Sequence, residues 1–176
     1  MKFLLRVIFF LTMFYCSSAF SNSIDEIRNK FRSAIESPSN TDKLSDYLTK
    51  VNKSDPIVLA YSAAVEALKA KHDWNPIAKR KYMSSYEVQI NEAIRRMPNN
   101  MEIRYLRYSI QLNVPSYLGY SNNLAEDKKI IVDAFINKRF TSTNKNLILD
   151  VYHFMLESKS VTAAEKLKMD RVIKTL

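Results

Sequence analysis

Residues 101–112 read MEIRYLRYSIQL. Wound at about 100° per residue, they place Met101, Tyr105, Tyr108 and Leu112 on one side and Ile103, Leu106 and Ile110 on the opposite side. A helix apolar on two opposed faces must lie between two layers of neighbours, so the stretch predicts an interior helix of an all-α fold. Two edges remain. One carries Glu102 and Ser109, and the other carries Arg104, Arg107 and Gln111. A polar stripe of that kind on an enclosed helix makes the second edge the first candidate for contact with another molecule.

Helical spacing continues outward in both directions. Ile24, Ile27, Phe31, Ala34 and Ile35 form one stripe, and Leu44, Tyr47, Leu48 and Val51 form another; strand-like alternation is missing. Start signals coincide with the stripes. Asp55-Pro56 and Asn75-Pro76 each pair a cap with proline at the first helical position, and Ser23/Glu26 and Thr162/Glu165 have the spacing of a capping box. These signals predict eight helices, near 24–36, 41–52, 56–72, 76–97, 100–113, 122–138, 144–158 and 163–175. The connections, such as SPSN at 37–40 and PNN at 98–100, are short and polar, which favours antiparallel neighbours in one compact domain.

One connection is different. NVPSYLGYSNN, residues 113–123, holds the only glycine of the chain, Gly119. Pro115 disfavours helical geometry at Val114, Gly119 permits a left-handed backbone, and Asn122 or Asn123 with Glu126 offers a cap for the next helix. A structural hinge accounts for these residues. Tyr117, Leu118 and Tyr120 exceed what a turn needs, and either pack down or present aromatic rings to a ligand.

INEAIRRMPNNMEIRYLRYSIQLN, residues 90–113, resembles the junction between two tetratricopeptide-type repeats, with Ala93, Pro98 and Asn99 at the places where that family has alanine, proline and asparagine. The resemblance covers residues 56–138 and implies antiparallel helical hairpins stacked as a short TPR-like solenoid or bundle. The small glycine of the family's first helix is absent. DAF at 133–135 follows EAI at 92–94 by 41 residues, against a usual period of about 34; the NVPSYLG insertion matches the difference. HDWNPIAKRKYM, PNNMEIRYLR and VPSYLGYSNNLAEDKK, in this order, also resemble a group of small exported bacterial proteins with no assigned activity.

Residues 1–21 have the form of an export signal: Lys2 and Arg6 precede an apolar run from Val7 to Cys16, followed by small residues including Ala19 and Ser21. The run is about half the length of a bilayer-crossing helix. Tyr15 stands before Cys16 where lipid attachment wants a small residue, which disfavours a lipoprotein. Cleavage would leave a single domain over residues 22–176, periplasmic or secreted, without cysteine or a transmembrane segment. Its stability would come from packing alone.

Charge is unevenly placed. Residues 22–55 carry six basic and six acidic side chains, whereas residues 69–107 carry nine basic and four acidic, a local excess of five positive charges. Such a segment suits anionic lipid or glycan; no nucleic-acid motif accompanies it. Lys79, Arg80 and Lys81 begin a helix, where positive charge opposes the helix dipole. Trp74, just before that helix, is expected to wedge between hairpins.

Catalytic constellations are sparse. His72 and His153 lie in different helices, so a zinc site would need Asp73 or Asp150 brought close, and both histidines read as surface or cap residues. A single glycine rules out a nucleophile elbow, a P-loop and a dinucleotide fingerprint. Glu36-Ser37 and Glu157-Ser158 have the glutamate–serine form of some glycan-cleaving helical enzymes, but both fall at helix ends open to solvent, where a raised pKa is not expected.

The expectation is therefore an exported, non-enzymatic helical-repeat protein without cofactor or metal, acting as a protein-binding or scaffold module in the cell envelope. Its predicted contact residues are Arg104, Arg107, Gln111, Tyr117 and Tyr120. Peripheral binding of anionic lipid or glycan through the basic surface is the alternative, and a cell-wall glycan-cleaving enzyme the remote one.

Overall fold

The computed structural model describes residues 24–140 and 144–176. The predicted export signal, Cys16 and the Ser23 member of the expected first capping box lie outside the described residues. Helix α1 spans 24–34. Then come α2 (Pro38–Thr49), α3 (Pro56–His72), α4 (Pro76–Arg96), α5 (Met101–Asn113), a 3-10 turn (Ser116–Leu118), α6 (Leu124–Ile136), α7 (Lys145–Glu157) and α8 (Ala163–Ile173). No strand occurs among the described residues.

The caps explain most boundaries. Asp55 Oδ1 accepts from the Ile57 amide at 2.6 Å and Asn75 Oδ1 from the Ile77 amide at 2.9 Å, each with proline as the first helical residue. The Thr162–Glu165 capping box forms in both directions. Two expectations are corrected. Helix α2 starts at Pro38 rather than near 41, because Ser37 and Pro38 repeat the cap-plus-proline signal within the polar run SPSN. Asn123 precedes α6 but its side chain does not cap it; its Oδ1 accepts from Gln111 Nε2 instead.

Helix α5 divides the interior. Ile103 and Leu106 join a core built from α1 to α4, with Ile110 packed against it. Met101 and Tyr108 join a second core built from α6, α7 and α8, with Tyr105 packed against it. The predicted clamping from both sides is thus present. Leu112, at the helix end, departs from the pattern and is exposed.

Helix α3 is the most enclosed element. Its buried residues include Ala60, Ala63, Ala64, Ala67 and Ala70, whose small side chains let α2, α4 and α5 approach it from several directions.

Candidate functional site

The edge of α5 formed by Arg104, Arg107 and Gln111 is closed. The first turn of α6 covers it, with two acids, Glu126 and Asp127, at the end of the helix where negative charge is favoured. Asp127 is fully buried. Its Oδ1 accepts from Arg104 Nη1 at 2.7 Å and from Arg107 Nη2 at 2.7 Å, and its Oδ2 accepts from Arg107 Nε at 2.6 Å. Glu126, half-exposed, lies 3.0 Å from Arg104 Nη1. The remaining donors are also engaged: Arg104 Nε donates to the Pro98 carbonyl and Arg107 Nη1 to Asn91. Gln111 exchanges hydrogen bonds with Asn123, its Oε1 accepting from the amide and its Nε2 donating to the side chain.

Three of the five predicted contact residues are therefore interior. The expectation that this edge faces a partner is corrected: two guanidiniums and two carboxylates neutralise one another inside the chain. Tyr120 is half-buried and packs on the first core. Tyr117 alone projects outward, 84% exposed. Gly119, at φ 81°, ends the 3-10 turn in the left-handed conformation, as its composition implied. The insertion thus turns the chain so that the acidic start of α6 meets the arginines.

The opposite edge of α5 carries a second network that sequence reasoning passed over. Buried Glu102 accepts from Arg28 Nε and Nη2, each at 2.7 Å, and from the Tyr61 hydroxyl at 2.8 Å. Arg28 Nη1 donates to Asp25 at 2.6 Å, and Asp25 in turn accepts from Asn144 at the start of α7. Burial together with the adjacent Glu102 carboxylate pushes the Tyr61 hydroxyl well above its ordinary value. Burial also opposes ionisation of Asp25, but hydrogen bonds from Asn144 and Arg28 outweigh it and leave its carboxyl below the usual range. A lone glutamate among apolar residues on α5, and an arginine between Ile27 and Phe31 on α1, were the available signals.

Comparison of the chain with protein-family models, curated proteins and solved structures returns no match. The functional reading rests on this chain's own contacts.

With both edges of α5 closed, the groups left open lie elsewhere. Asp73 Oδ1 accepts from the Asn75 amide at 2.8 Å while Asn75 caps α4, and the residue between them points outward. Trp74 is 89% exposed, which corrects its expected role as a wedge. Ile77 is 80% and Val88 69% exposed on the outer face of α4, opposite buried Met83, Tyr86, Ile90 and Ala93. A shallow groove of about 670 Å³ runs along that face between Ile77, Arg80, Lys81, Ser84 and Val88.

The nine basic residues of 69–107 now separate into two sets. Lys69 pairs with Glu66, Lys71 with Glu36, Arg95 and Arg96 with Glu92, and Arg104 and Arg107 with Asp127. Lys79, Arg80 and Lys81 are exposed and have no ion-pair partner among the described residues. They are consecutive, and they stand in the first turns of α4 beside Trp74 and Ile77.

Of the other chemistry-bearing side chains, His72 and Asp73 line an open pocket with Asp42 and Asp46. His153 is exposed beside Tyr152, and His72 lies at the end of α3. No group of three or more side chains able to hold a metal ion occurs among the described residues. Glu36 is exposed, and the hydrogen bond from Lys71 holds its carboxyl below the ordinary value, opposite to the shift a general acid needs. Glu157, at the end of α7, is exposed as well.

Proposed function

We propose that the protein is an exported, non-enzymatic helical-repeat module that serves the cell envelope by docking on another envelope component through the outer face of α4. One observation carries this reading: of nine basic side chains in 69–107, the three without an acidic partner among the described residues sit together beside a tryptophan and an isoleucine that are almost fully exposed. Positive charge at a helix start is locally unfavourable, and exposed tryptophan gives up the burial it would gain elsewhere. Both features make physical sense where a partner supplies negative charge and apolar cover. The closed networks around α5 support the division of labour, with interior charge holding the fold and exterior charge left for contact.

A photo-crosslinking residue introduced at position 77 or 84 in cells tests the reading. Adducts are expected from both positions and not from position 168 on α8, which is also exposed. Equal adduct yields at all three positions, or none at 77 and 84, would withdraw α4 as the docking face.

A further inference from the structure

We infer that the surface docked by α4 is an anionic lipid bilayer, with Trp74 and Ile77 entering the headgroup layer and Lys79, Arg80 and Lys81 contacting lipid phosphates. The inference rests on the docking face proposed above and names what covers it.

Three features of the face favour a bilayer. Its exposed start carries three consecutive cations against one carboxylate, Asp73, which accepts from the Asn75 amide; the acids further along the helix are exposed Glu87 and then Glu92, which is held by Arg95 and Arg96. A second copy of the chain seated face to face would set these cations against their own equivalents. The two most exposed apolar residues are also placed at the end of the helix and its preceding turn, with Val88 further along the same face. Trp74 at 89% and Ile77 at 80% exposure protrude, which suits insertion into a soft layer better than seating against a rigid, preshaped partner. Tryptophan next to lysine and arginine is moreover the combination that matches the boundary between headgroups and acyl chains, where an amphipathic ring and phosphate-facing cations occupy adjacent depths. An acidic polysaccharide would satisfy the cations and leave the isoleucine without a role.

Trp74 is the only tryptophan in the chain, so its emission reports on this face alone. The naturally processed protein, purified from the cells that make it, is mixed with vesicles of phosphatidylcholine alone or of equal parts phosphatidylcholine and phosphatidylglycerol. Sedimentation with the mixed vesicles and a blue shift of Trp74 emission are expected, both reversed by raised salt and both absent with phosphatidylcholine alone. Replacing Lys79, Arg80 and Lys81 together by glutamine should weaken partitioning on the order of a hundredfold, at about tenfold for each 1.4 kcal/mol and roughly 1 kcal/mol per basic residue near an anionic surface. Ile77→Ser, which keeps the reporter, should weaken it about tenfold. All four positions are exposed, and unchanged helical circular dichroism confirms that each variant is folded.

Failure to sediment with the mixed vesicles, sedimentation without a Trp74 shift, or equal partitioning of the glutamine variant would overturn the bilayer assignment. The docking reading is judged separately. Salt-sensitive capture by an acidic polysaccharide, or a protein adduct from position 77, with no vesicle binding would remove the lipid and keep the face; absence of all three would remove both.

Discussion

Asp127 illustrates how one side chain sets the character of a buried region. It is enclosed completely and accepts hydrogen bonds from both Arg104 and Arg107, while half-exposed Glu126 pairs with the same two guanidiniums. Removing one partner of a buried ion pair leaves uncompensated charge in the interior. Asp127→Ala is therefore expected to lower unfolding free energy by about 3–5 kcal/mol in urea titration, whereas Arg80→Ala, at an exposed and unpaired position, should stay within about 0.5 kcal/mol of the parent protein. The contrast separates the arginines that hold the fold from those offered for contact. Tyr86 makes the complementary case. It is buried beside the same network, its hydroxyl has no hydrogen-bond partner among the described residues, and burial pushes its pKa upward. Tyr86→Phe removes an unsatisfied polar atom without changing the ring that fills the core. A gain on the order of 1 kcal/mol in the same titration is expected.

Among the elements, those whose boundaries follow local chemistry were legible in the sequence, and those shaped by distant partners were not. Proline after Asp55 and Asn75, and the Thr162–Glu165 box, marked the starts of α3, α4 and α8 directly. The enclosure of α5 followed from its two apolar faces. What its arginine edge faces did not, because that depends on a helix start twenty residues further along the chain; the acids at 126 and 127 were visible, but their position over α5 is set by the path of the insertion. Trp74 was misplaced for a related reason: burial preference argues for packing it inside, and the two side-chain bonds that turn it outward emerge only once Asp73 and Asn75 are folded. At Gly119 a Cβ would meet nothing within 4 Å, so the strain of Gly119→Ala is purely that of the left-handed backbone, about 1–2 kcal/mol of lost stability. Helix α8 provides a pH test. The Thr162 backbone amide holds Glu165 below its ordinary 4.5, opposed by burial and helped by Lys128. The stability so gained is complete above the unfolded carboxyl's range and is lost as pH falls through the lower folded value. Comparing wild type with Glu165→Gln by thermal unfolding across pH should show a constant gap above about pH 5 that narrows below it.

At the scale of the whole molecule, two hydrophobic cores share a single wall. Helix α5 contributes Ile103 and Leu106 to one and Met101 and Tyr108 to the other, and each of its polar edges is tied to a different part of the chain: Glu102 to Arg28 and Tyr61, Arg104 and Arg107 to the start of α6. Helix α1 adds further links across the wall, through Asp25 to Asn144 and through Arg32 to Asp150. Cooperative unfolding of both cores follows, because opening either one exposes a face of α5 and uncouples a charge network. Asp127→Asn removes the buried charge that ties α5 to α6 while retaining the size of the side chain, leaving Glu126 and the Gln111–Asn123 pair as the remaining polar links. Native-state hydrogen exchange should then show amides of α6, α7 and α8 opening at lower free energy than those of α3, which is surrounded on several sides within the other core. In the parent protein the most protected amides of α3 and α6 should instead exchange with the same opening free energy. If the variant lowered both by the same amount, the buried carboxylate would be stabilising the molecule without coupling its halves; a selective loss from α6 to α8 would identify it as the joint between them.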